Sequence, residues 1–545
     1  MIKNPVIPGF NPDPCICRKN DDYYLAVSSF EWLPGIPVYH SRDLKNWELY
    51  THLLTDEKSL NLKGLPSAKG IWAPCLTWND KDGLFYLVYG VMNSTNARYF
   101  DIDNFLITAE EITGPWSKPV YIHSAGFDAS LFHDDDGKKY IAALEWETRS
   151  CYEQPGKIDL VEFDVKSGKC IGFPKRIWGG ATDRGCLEAP HITKKNGYYY
   201  LMCAEGGTGY NHCVSMARSK NIFGPYEADP LGAIVTANPY PNYERNQPDH
   251  LKPKYFNAKT ELQKCGHGSY VDLQNGETYL FHLCSRPFVP ELRCTLGRET
   301  AVQKMMWTED GWLRMADGTN LAKTLVEEPK LAEFNAEKLP SCDDFSSASL
   351  RIDWYAPRQL PDNFSKISDG KLTLRGGESP SSLYNVNLLA KKLTSLKATV
   401  TTKMTYSPEI YQHSAGLLLY YDNMNYAFLK EYYSDHLKSA ALLLIYVENG
   451  VKKEYLDSET AIEGGKSVWL KLDIFERESS FSYSLDGKTY QKIGELLDTS
   501  KFSDEYCEYG EFTGTMTGIC CCDRMYHTKC AEFDFFELKS QTEVF

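Results

Sequence analysis

One pattern of apolar and polar residues recurs along the first part of the chain. A short alternating run at residues 15–18 (CICR) is followed by a polar turn at 19–22 and an aromatic run at 23–25 (YYL). Alternation on both sides of a polar turn predicts a β-hairpin. Comparable hairpins begin near four further residues, Ala73, Asp128, Glu188 and His267.

The spacing of these hairpins predicts the architecture. The five copies recur at intervals of tens of residues, and each is strand-rich and too long to be one turn of a solenoid. We therefore predict five blades of a β-propeller over residues 1–325. After a linker at 326–340, further short alternating runs predict a β-sandwich over 341–545. The chain is predicted to be all-β, with almost no amphipathic helix.

Composition and charge narrow the class of protein. The 545 residues are too many for one domain, and a hydrophobic content of 42% allows a core of normal size. The formal charge of -14 and the pI near 5.5 argue against a nucleic-acid or anionic-membrane partner. No apolar run is long enough to cross a bilayer, and residues 1–5 lack the apolar segment of a signal peptide.

The 17 cysteines bear on the cellular compartment. They are odd in number and scattered through predicted strands, and no small disulfide framework fits a chain of this size. We interpret them as buried, reduced thiols. This favours a reducing compartment, and we expect the cytoplasm.

Three of the five hairpins begin at a carboxylate: Asp13, Asp128 and Glu188. Equivalent positions of a radial array face a common axis, so we expect the three acids to meet in one central pocket. Hydrolysis of a glycosidic bond needs one protonated and one ionised carboxyl group. A third buried acid raises the pKa of the proton donor by repulsion. Each acid alone is more typical of a turn or a cap, and their shared position in the repeat favours function.

Several motifs resemble glycoside hydrolase family 43, in particular its β-xylosidase branch. The resemblance covers essentially the whole chain in order. It implies a five-bladed propeller with a C-terminal β-sandwich of the jelly-roll or concanavalin-like kind, in agreement with the repeat count. The main motifs are residues 9–14 (GFNPDP), 70–74 (GIWAP), 127–132 (FDASLF) and 188–191 (EAPH), supported by 206–208, 266–268, 296–301 and 510–514.

The resemblance also implies catalytic roles. Asp13 matches the general base that activates water, and Glu188 matches the general acid that protonates the leaving oxygen. Asp128 matches the acid that tunes the pKa of the general acid and orients it. The family inverts configuration, which predicts that the Asp13 and Glu188 carboxyl groups lie roughly 6.5–9.5 Å apart.

Further residues match the family's sugar pocket. Arg298 matches an arginine that binds the hydroxyls of the non-reducing sugar, for which a planar fork of donors is suited. His267 matches a position on the axis beneath the pocket. Four aromatic residues match the pocket walls, with core packing as the alternative for such side chains: Phe30, Trp72, Trp146 and Phe512. Phe512 would come from the sandwich, shorten the pocket and favour release of single terminal sugars.

The expected activity is exo-acting, inverting release of D-xylose from the non-reducing ends of β-1,4-xylo-oligosaccharides. An α-L-arabinofuranosidase, or a bifunctional enzyme, stays open because the two sugars present similar hydroxyls. A non-catalytic sugar-binding propeller is a further alternative, against which the three acids argue. The resemblance implies no required cofactor, leaves open a structural calcium ion at the axis near His267, and implies a homo-oligomer, either a dimer or a tetramer.

Overall fold

The structure is a computed structural model of the chain. It describes residues 1–57, 60–149, 151, 156–239, 256–508 and 512–541. Within these ranges strands dominate, and helix is limited to four short 3-10 turns at Asn96–Arg98, Pro361–Asn363, Leu456–Ser458 and Thr499–Lys501. No described helix is long and apolar enough to cross a membrane. The all-β prediction is confirmed.

The first part of the chain folds into a ring of blades. In the described residues there are five sheets of four antiparallel strands. Four of these sheets are built from consecutive strands, and the first omits the short strand Trp32–Leu33. Each inner strand contacts the inner strand of the next blade, and the fifth contacts the first, so the ring is closed. The five-bladed propeller prediction is confirmed. The strands are Cys15–Lys19, Asp22–Ala26, Gly35–Ser41 and Glu48–Leu54 in blade 1; Gly70–Asn79, Leu84–Ser94, Asp101–Ala109 and Val120–Tyr121 in blade 2; Phe127–His133, Lys139–Glu145, Lys157–Asp164 and Lys169–Trp178 in blade 3; Glu188–Lys195, Tyr198–Glu205, Cys213–Ser219 and Glu227–Thr236 in blade 4; and Gln263–Asp272, Thr278–Ser285, Glu299–Trp307 and Leu313–Met315 in blade 5.

The N-terminus is tied to the end of the propeller. Strand Ile2–Lys3 pairs antiparallel with Leu325–Val326, after the fifth blade. Ile7 and Thr300 exchange two backbone hydrogen bonds of 3.1 Å. These contacts fix the segment that leads to Asp13 against blade 5, where Arg298 directly precedes the strand Glu299–Trp307.

The second part of the chain is a β-sandwich. A core that includes Leu417, Leu470 and Phe533 fills the space between its two sheets, and stacked sheets with a shared apolar interior are the usual form of this fold. Within the described residues one sheet comprises Cys342–Asp343, Ser365–Ser368, Lys371–Arg375, Lys397–Thr405, Ser467–Phe475, Glu478–Ser484, Gln491–Asp498 and Cys530–Ser540, and the other comprises Leu388–Lys392, His413–Asp422, Asn425–Ser434, Ser439–Glu448, Val451–Glu454, Thr460–Ile462 and Met516–Asp523.

The sandwich packs against the propeller through a shared apolar cluster. The Trp32 and Tyr420 rings meet edge to face at 5.8 Å between centroids, and strand Trp32–Leu33 pairs with Ala356–Pro357. Trp32 is almost completely buried. The domain boundaries at residues 325 and 341 stay a prediction; the last pairing of the propeller ends at Val326 and the first sandwich strand begins at Cys342.

Candidate active site

The inner strand of each blade contains, or closely follows, a residue in the left-handed region of φ at an equivalent position of the repeat. Outside glycine this conformation is uncommon and costs about 1–3 kcal/mol. In blades 2 to 5 it coincides with a shift in strand register, and such bulges re-aim side chains. The repeated bulge therefore explains how the blades present residues to the centre of the ring. The five residues are Asp13 (φ 57°), Ala73 (φ 37°), Asp128 (φ 53°), Ala189 (φ 51°) and His267 (φ 50°).

Glu188 does not occupy the shared position that the sequence pattern assigned to it. The left-handed residue of blade 4 is Ala189, so Glu188 precedes the equivalent of Asp13 and Asp128 by one residue. The register shift lies between Glu188 and His191. The expectation of one equivalent position for all three acids is therefore wrong, although it is correct for Asp13 and Asp128.

The three acids nevertheless line one pocket. Its volume is about 430 Å³, within the range of small-molecule sites in proteins. Among the residues described, those predicted from the sequence that line it together are Asp13, Phe30, Trp72, Asp128, Trp146, Glu188, His267, Arg298 and Phe512.

Asp13 is held on several sides by donors. Its Oδ2 accepts a hydrogen bond of 2.7 Å from the Ser28 hydroxyl, and its Oδ1 accepts one of 3.2 Å from Arg298 Nη1. His267 Nδ1 lies 3.4 Å from the same Oδ1. Burial lowers the pKa of His267 to about 4, so this imidazole is neutral at neutral pH. The Asp13 carboxylate is thus paired with one fixed cation, the Arg298 guanidinium.

Asp128 is a buried acid that keeps its proton. Burial, and secondarily the charge of Asp13, raises its pKa to about 8. Its Oδ2 accepts a hydrogen bond of 3.1 Å from the backbone N–H of Ala189. Because Ala189 follows Glu188 directly, this bond also fixes the backbone that carries Glu188.

Glu188 is a second buried acid whose ionisation is opposed. Burial raises its pKa well above the ordinary value, the charges of Asp128 and Asp13 add to the effect, and Arg298 opposes it. This environment favours the protonated form of Glu188, which is able to donate a proton. Environments that separate the pKa values of neighbouring carboxyl groups are the usual way to assign an acid and a base.

His212 packs beside Glu188 and was not predicted from the sequence. Its Nε2 lies 3.6 Å from Glu188 Oε1. Burial lowers the pKa of this imidazole well below its usual value. The Lys264 carbonyl lies 3.2 Å from Nδ1 and accepts its proton in a hydrogen bond, which assigns the tautomer and leaves an unprotonated Nε2 toward Glu188.

Arg298 links the acids to the sandwich. Nη1 also donates to Thr208 Oγ1 at 3.3 Å, and Nη2 donates to the Phe512 carbonyl at 3.2 Å. The guanidinium lies 5.5 Å from the centre of the Phe30 ring and 5.1 Å from that of Phe512. Its buried Nε has no hydrogen-bond partner among the described residues. Such a fork of donors suits vicinal sugar hydroxyls.

The aromatic walls contact one another around the acids. The Trp72 ring is 5.9 Å from Phe30 and 6.1 Å from Phe512, and Trp146 is 5.9 Å from Phe127. Trp72 Nε1 donates to the Ala68 carbonyl at 3.0 Å, which fixes the ring orientation. Aromatic faces of this kind pack against the apolar faces of sugars and exclude water.

Phe512 reaches the pocket from the sandwich domain, and its backbone is anchored. Asp504 Oδ1 accepts the Phe512 N–H at 3.1 Å. Asp504 lies beside the buried Lys264, whose Nζ is 3.9 Å from Asp504 Oδ2 and forms an ion pair with Glu505. Lys264 belongs to blade 5, so a charged contact between the domains positions the pocket wall. Residues 510 and 511 of the sequence motif around Phe512 lie outside the described residues.

Comparison with known proteins identifies the family. The family model "Glycosyl hydrolases family 43" matches residues 2–313, and "Beta xylosidase C-terminal Concanavalin A-like domain" matches residues 342–539. The chain belongs to glycosyl hydrolase family 43. The resemblance noted in the sequence is confirmed, as is the concanavalin-like sandwich.

Relatives of this family 43 protein are similar over their full length. "Xylosidase/arabinosidase 43B" of Humicola insolens is 39% identical, over 98% of this chain and 97% of the relative. "Beta-xylosidase" of Bacillus subtilis (strain 168) is 37% identical, over 99% and 100%. The solved structure of "xylan beta-1,4-xylosidase from Bacillus Halodurans C-125" is 41% identical, with a TM-score of 0.92 over 99% of this chain and 100% of that one.

Sequence reasoning missed part of the pocket of this family 43 enzyme. Phe127 directly precedes Asp128 in the motif at residues 127–132. It could have been predicted, because its place in blade 3 is equivalent to that of Glu188 in blade 4. Gly207 and Thr208 lie in the glycine motif at residues 206–208. The other pocket residues carry no sequence signal that we can identify: Lys69, Thr95, Phe100 and Cys186.

Proposed function

We propose that this family 43 glycoside hydrolase is an exo-acting, inverting β-xylosidase that releases D-xylose from the non-reducing ends of β-1,4-xylo-oligosaccharides. The observation that carries the proposal is the meeting of three acids in one pocket with opposed electrostatic environments. Asp13 is paired with Arg298, whereas burial favours the protonated forms of Asp128 and Glu188. The names of the full-length relatives support the choice of xylosides.

Glu188 is the general acid in this proposal. It donates its proton to the glycosidic oxygen as the bond to the anomeric carbon breaks, and Glu188 itself becomes a carboxylate. Asp128 acts through Glu188. Its carboxyl group accepts the Ala189 N–H, which fixes the backbone of Glu188, and the closeness of the two carboxyl groups disfavours the ionisation of both at once. Asp128 is thus a positioning and tuning residue.

Asp13 is the general base. It accepts a proton from a water molecule that attacks the anomeric carbon from the face opposite the leaving group, which inverts the configuration. Ser28, His267 and Arg298 hold the carboxylate in place. The separation of roughly 6.5–9.5 Å between the Asp13 and Glu188 carboxyl groups stays a prediction of this mechanism.

The pocket walls support attack on a terminal sugar. Phe30, Trp72 and Trp146 surround the acids, and Phe512 adds a wall from the second domain. Because Phe512 closes one side, the pocket fits the end of a sugar chain better than the middle of a polymer. Arg298 would bind hydroxyls of the terminal sugar with the donors that it does not use internally.

The test is a panel of unsubstituted substrates. Xylobiose and xylotriose should yield xylose, with shortening by one residue at a time from the non-reducing end. Release of internal fragments from xylan would contradict the exo-acting assignment. No hydrolysis of any pentoside by correctly folded protein would favour the non-catalytic sugar-binding alternative.

An α-L-arabinofuranosidase activity on the same scaffold is the second candidate. The name of the Humicola insolens relative, which includes both xylosidase and arabinosidase, favours it. Comparing the rate on xylobiose with the rate on arabino-oligosaccharides decides between the two activities. Equal rates would indicate a bifunctional enzyme.

Three further properties belong to the proposal. The acid–base mechanism requires no metal, so hydrolysis should survive chelators; a calcium ion near His267 would be structural. All 17 cysteines are free thiols, which supports the cytoplasm or another reducing compartment. A homo-oligomer, dimer or tetramer, is expected from the family, and light scattering of the purified protein tests it.

A further inference from the structure

A second ring of residues lies just beyond the left-handed positions. Two residues after each of them, the inner strands carry side chains with potential ligand atoms. Blade 1 and blade 2 contribute cysteines, blade 4 a histidine, and blades 3 and 5 serines. The five residues are Cys15, Cys75, Ser130, His191 and Ser269.

Three of these side chains converge across the channel. One ligand atom each from Cys15, Cys75 and His191, the channel cluster, lies within 4.8 Å of the other two. Both cysteines are buried, with 3% of their surface exposed. The backbone of Leu76 holds Cys15 Sγ in place: the sulfur accepts the Leu76 N–H at 3.3 Å and donates to the Leu76 carbonyl at 3.5 Å.

The channel cluster has the donors of a zinc site. Zn²⁺ binds thiolate at about 2.3 Å and imidazole at about 2.0–2.1 Å in tetrahedral geometry, which places donor atoms roughly 3.5–3.8 Å apart. Atoms already within 4.8 Å of one another reach this spacing by movements of about an ångström or less. The three residues lie in the inner strands of three blades, so the arrangement is held by strands and not by a single loop.

We propose that the channel cluster of Cys15, Cys75 and His191 binds one thiophilic cation, Zn²⁺, which joins blades 1, 2 and 4 across the propeller channel. The two thiols lose their protons on binding, and the two Zn–S bonds and one Zn–N bond form without any change of oxidation state. Two thiolates neutralise the dication, and the imidazole stays neutral. A water molecule completes the fourth position.

The donor atoms of the cluster, two sulfurs and one imidazole nitrogen, favour zinc over calcium. Calcium prefers oxygen ligands, so the cluster differs from a calcium position at His267. Neither Cys15, Cys75 nor His191 lines the sugar pocket as far as the structure describes it. The ion would therefore brace the channel without touching substrate.

The test uses Co²⁺ as a spectroscopic probe for the zinc position. The full-length protein is reduced, stripped with a chelator and titrated with Co²⁺ under anaerobic conditions. We expect thiolate-to-cobalt charge-transfer absorption that saturates at one equivalent and disappears when Zn²⁺ is added. Zinc should also raise the midpoint of thermal unfolding of the stripped protein.

The matched control is another close pair of buried thiols. Cys520 Sγ and Cys522 Sγ lie 3.7 Å apart in the sandwich, with both residues buried. Cys75→Ser should abolish the absorption and the thermal shift, whereas Cys522→Ser should keep both. If Cys75→Ser fails to fold by circular dichroism, His191→Gln takes its place, and it should weaken zinc binding at least 10-fold.

Several results would overturn the proposal. These are absence of the absorption in the wild-type protein, its persistence in Cys75→Ser or His191→Gln, or its loss in Cys522→Ser. Protein isolated in buffers that contain a reducing agent can also be weighed by mass spectrometry. A loss of two hydrogens, one from Cys15 and one from Cys75, would show a disulfide instead of a metal site. Hydrolysis of xylobiose is not the readout, so failure here leaves the proposed function intact.

Discussion

Asp128 makes the fold less stable as the pH rises, and its replacement by asparagine should remove this contribution to the pH dependence. Its pKa is raised from 3.8 to about 8, first by burial and then by the charge of Asp13. The unfolded chain releases this proton near pH 4, whereas the folded protein keeps it up to about pH 8. Over that window the folded state binds more protons, so the free energy of unfolding falls as the pH rises.

The size of the effect follows from the difference in pKa. A change from 3.8 to about 8 corresponds to roughly 6 kcal/mol above pH 8. Relaxation and a higher effective dielectric reduce such figures, so we expect Asp128→Asn to gain about 2–4 kcal/mol at pH 8 and under about 1 kcal/mol near pH 4.5. The amide oxygen of asparagine can still accept the Ala189 N–H, now at 3.1 Å.

Calorimetric unfolding midpoints of the wild type and of Asp128→Asn, measured between about pH 4.5 and pH 8, test this prediction. The gap between the two proteins should widen with pH and level off near pH 8. Asp101→Asn, at an exposed strand residue, is the control and should show no such trend. A gap that is constant across the range, or a destabilised Asp128→Asn, would refute the reasoning.

The other predictions concern acid catalysis and the domain contact. Glu188→Gln should reduce hydrolysis of xylobiose by about 10²–10⁴-fold while substrate still binds by calorimetry, and loss of binding with activity would contradict the role. In Asp128→Asn the alkaline limb of the kcat/KM profile should move to lower pH, since the Asp128 carboxylate, which forms above about pH 8 and raises the pKa of Glu188, is gone; an unmoved limb would exclude that tuning. Lys264→Met should cost about 3–5 kcal/mol, because Glu505 loses a buried partner. Lys453→Met, at an exposed ion pair, should leave the stability almost unchanged, and similar losses in the two variants would contradict the burial argument.

The blades could be predicted because their signals are local. A polar turn between two alternating runs encodes a hairpin whatever its surroundings, and five such hairpins in order imply a ring. The match of motifs then placed Asp13, Arg298 and Phe512 in one pocket, although they lie far apart in the sequence. All the predicted site residues line that pocket.

Other features depend on contacts that no local pattern records. The one-residue offset of Glu188 arises from strand register in blade 4, which the sequence repeat did not resolve. His212 faces Glu188 only because Gly266 leaves room for it: a Cβ at residue 266 would lie 2.4 Å from the His212 ring. The ion pair between Lys264 and Glu505 depends on how the two domains pack.

The most direct test of the central claim is the configuration of the first product. Proton NMR during hydrolysis of xylobiose, before the released sugar equilibrates, distinguishes the two anomers. If Asp13 activates water while Glu188 protonates the leaving oxygen, the unit cut from the non-reducing end is released as α-D-xylose, so α-D-xylose first appears in excess over the anomeric mixture that the reducing-end unit contributes. An initial excess of β-D-xylose over that mixture would mean retention of configuration, and would contradict the roles assigned to both acids.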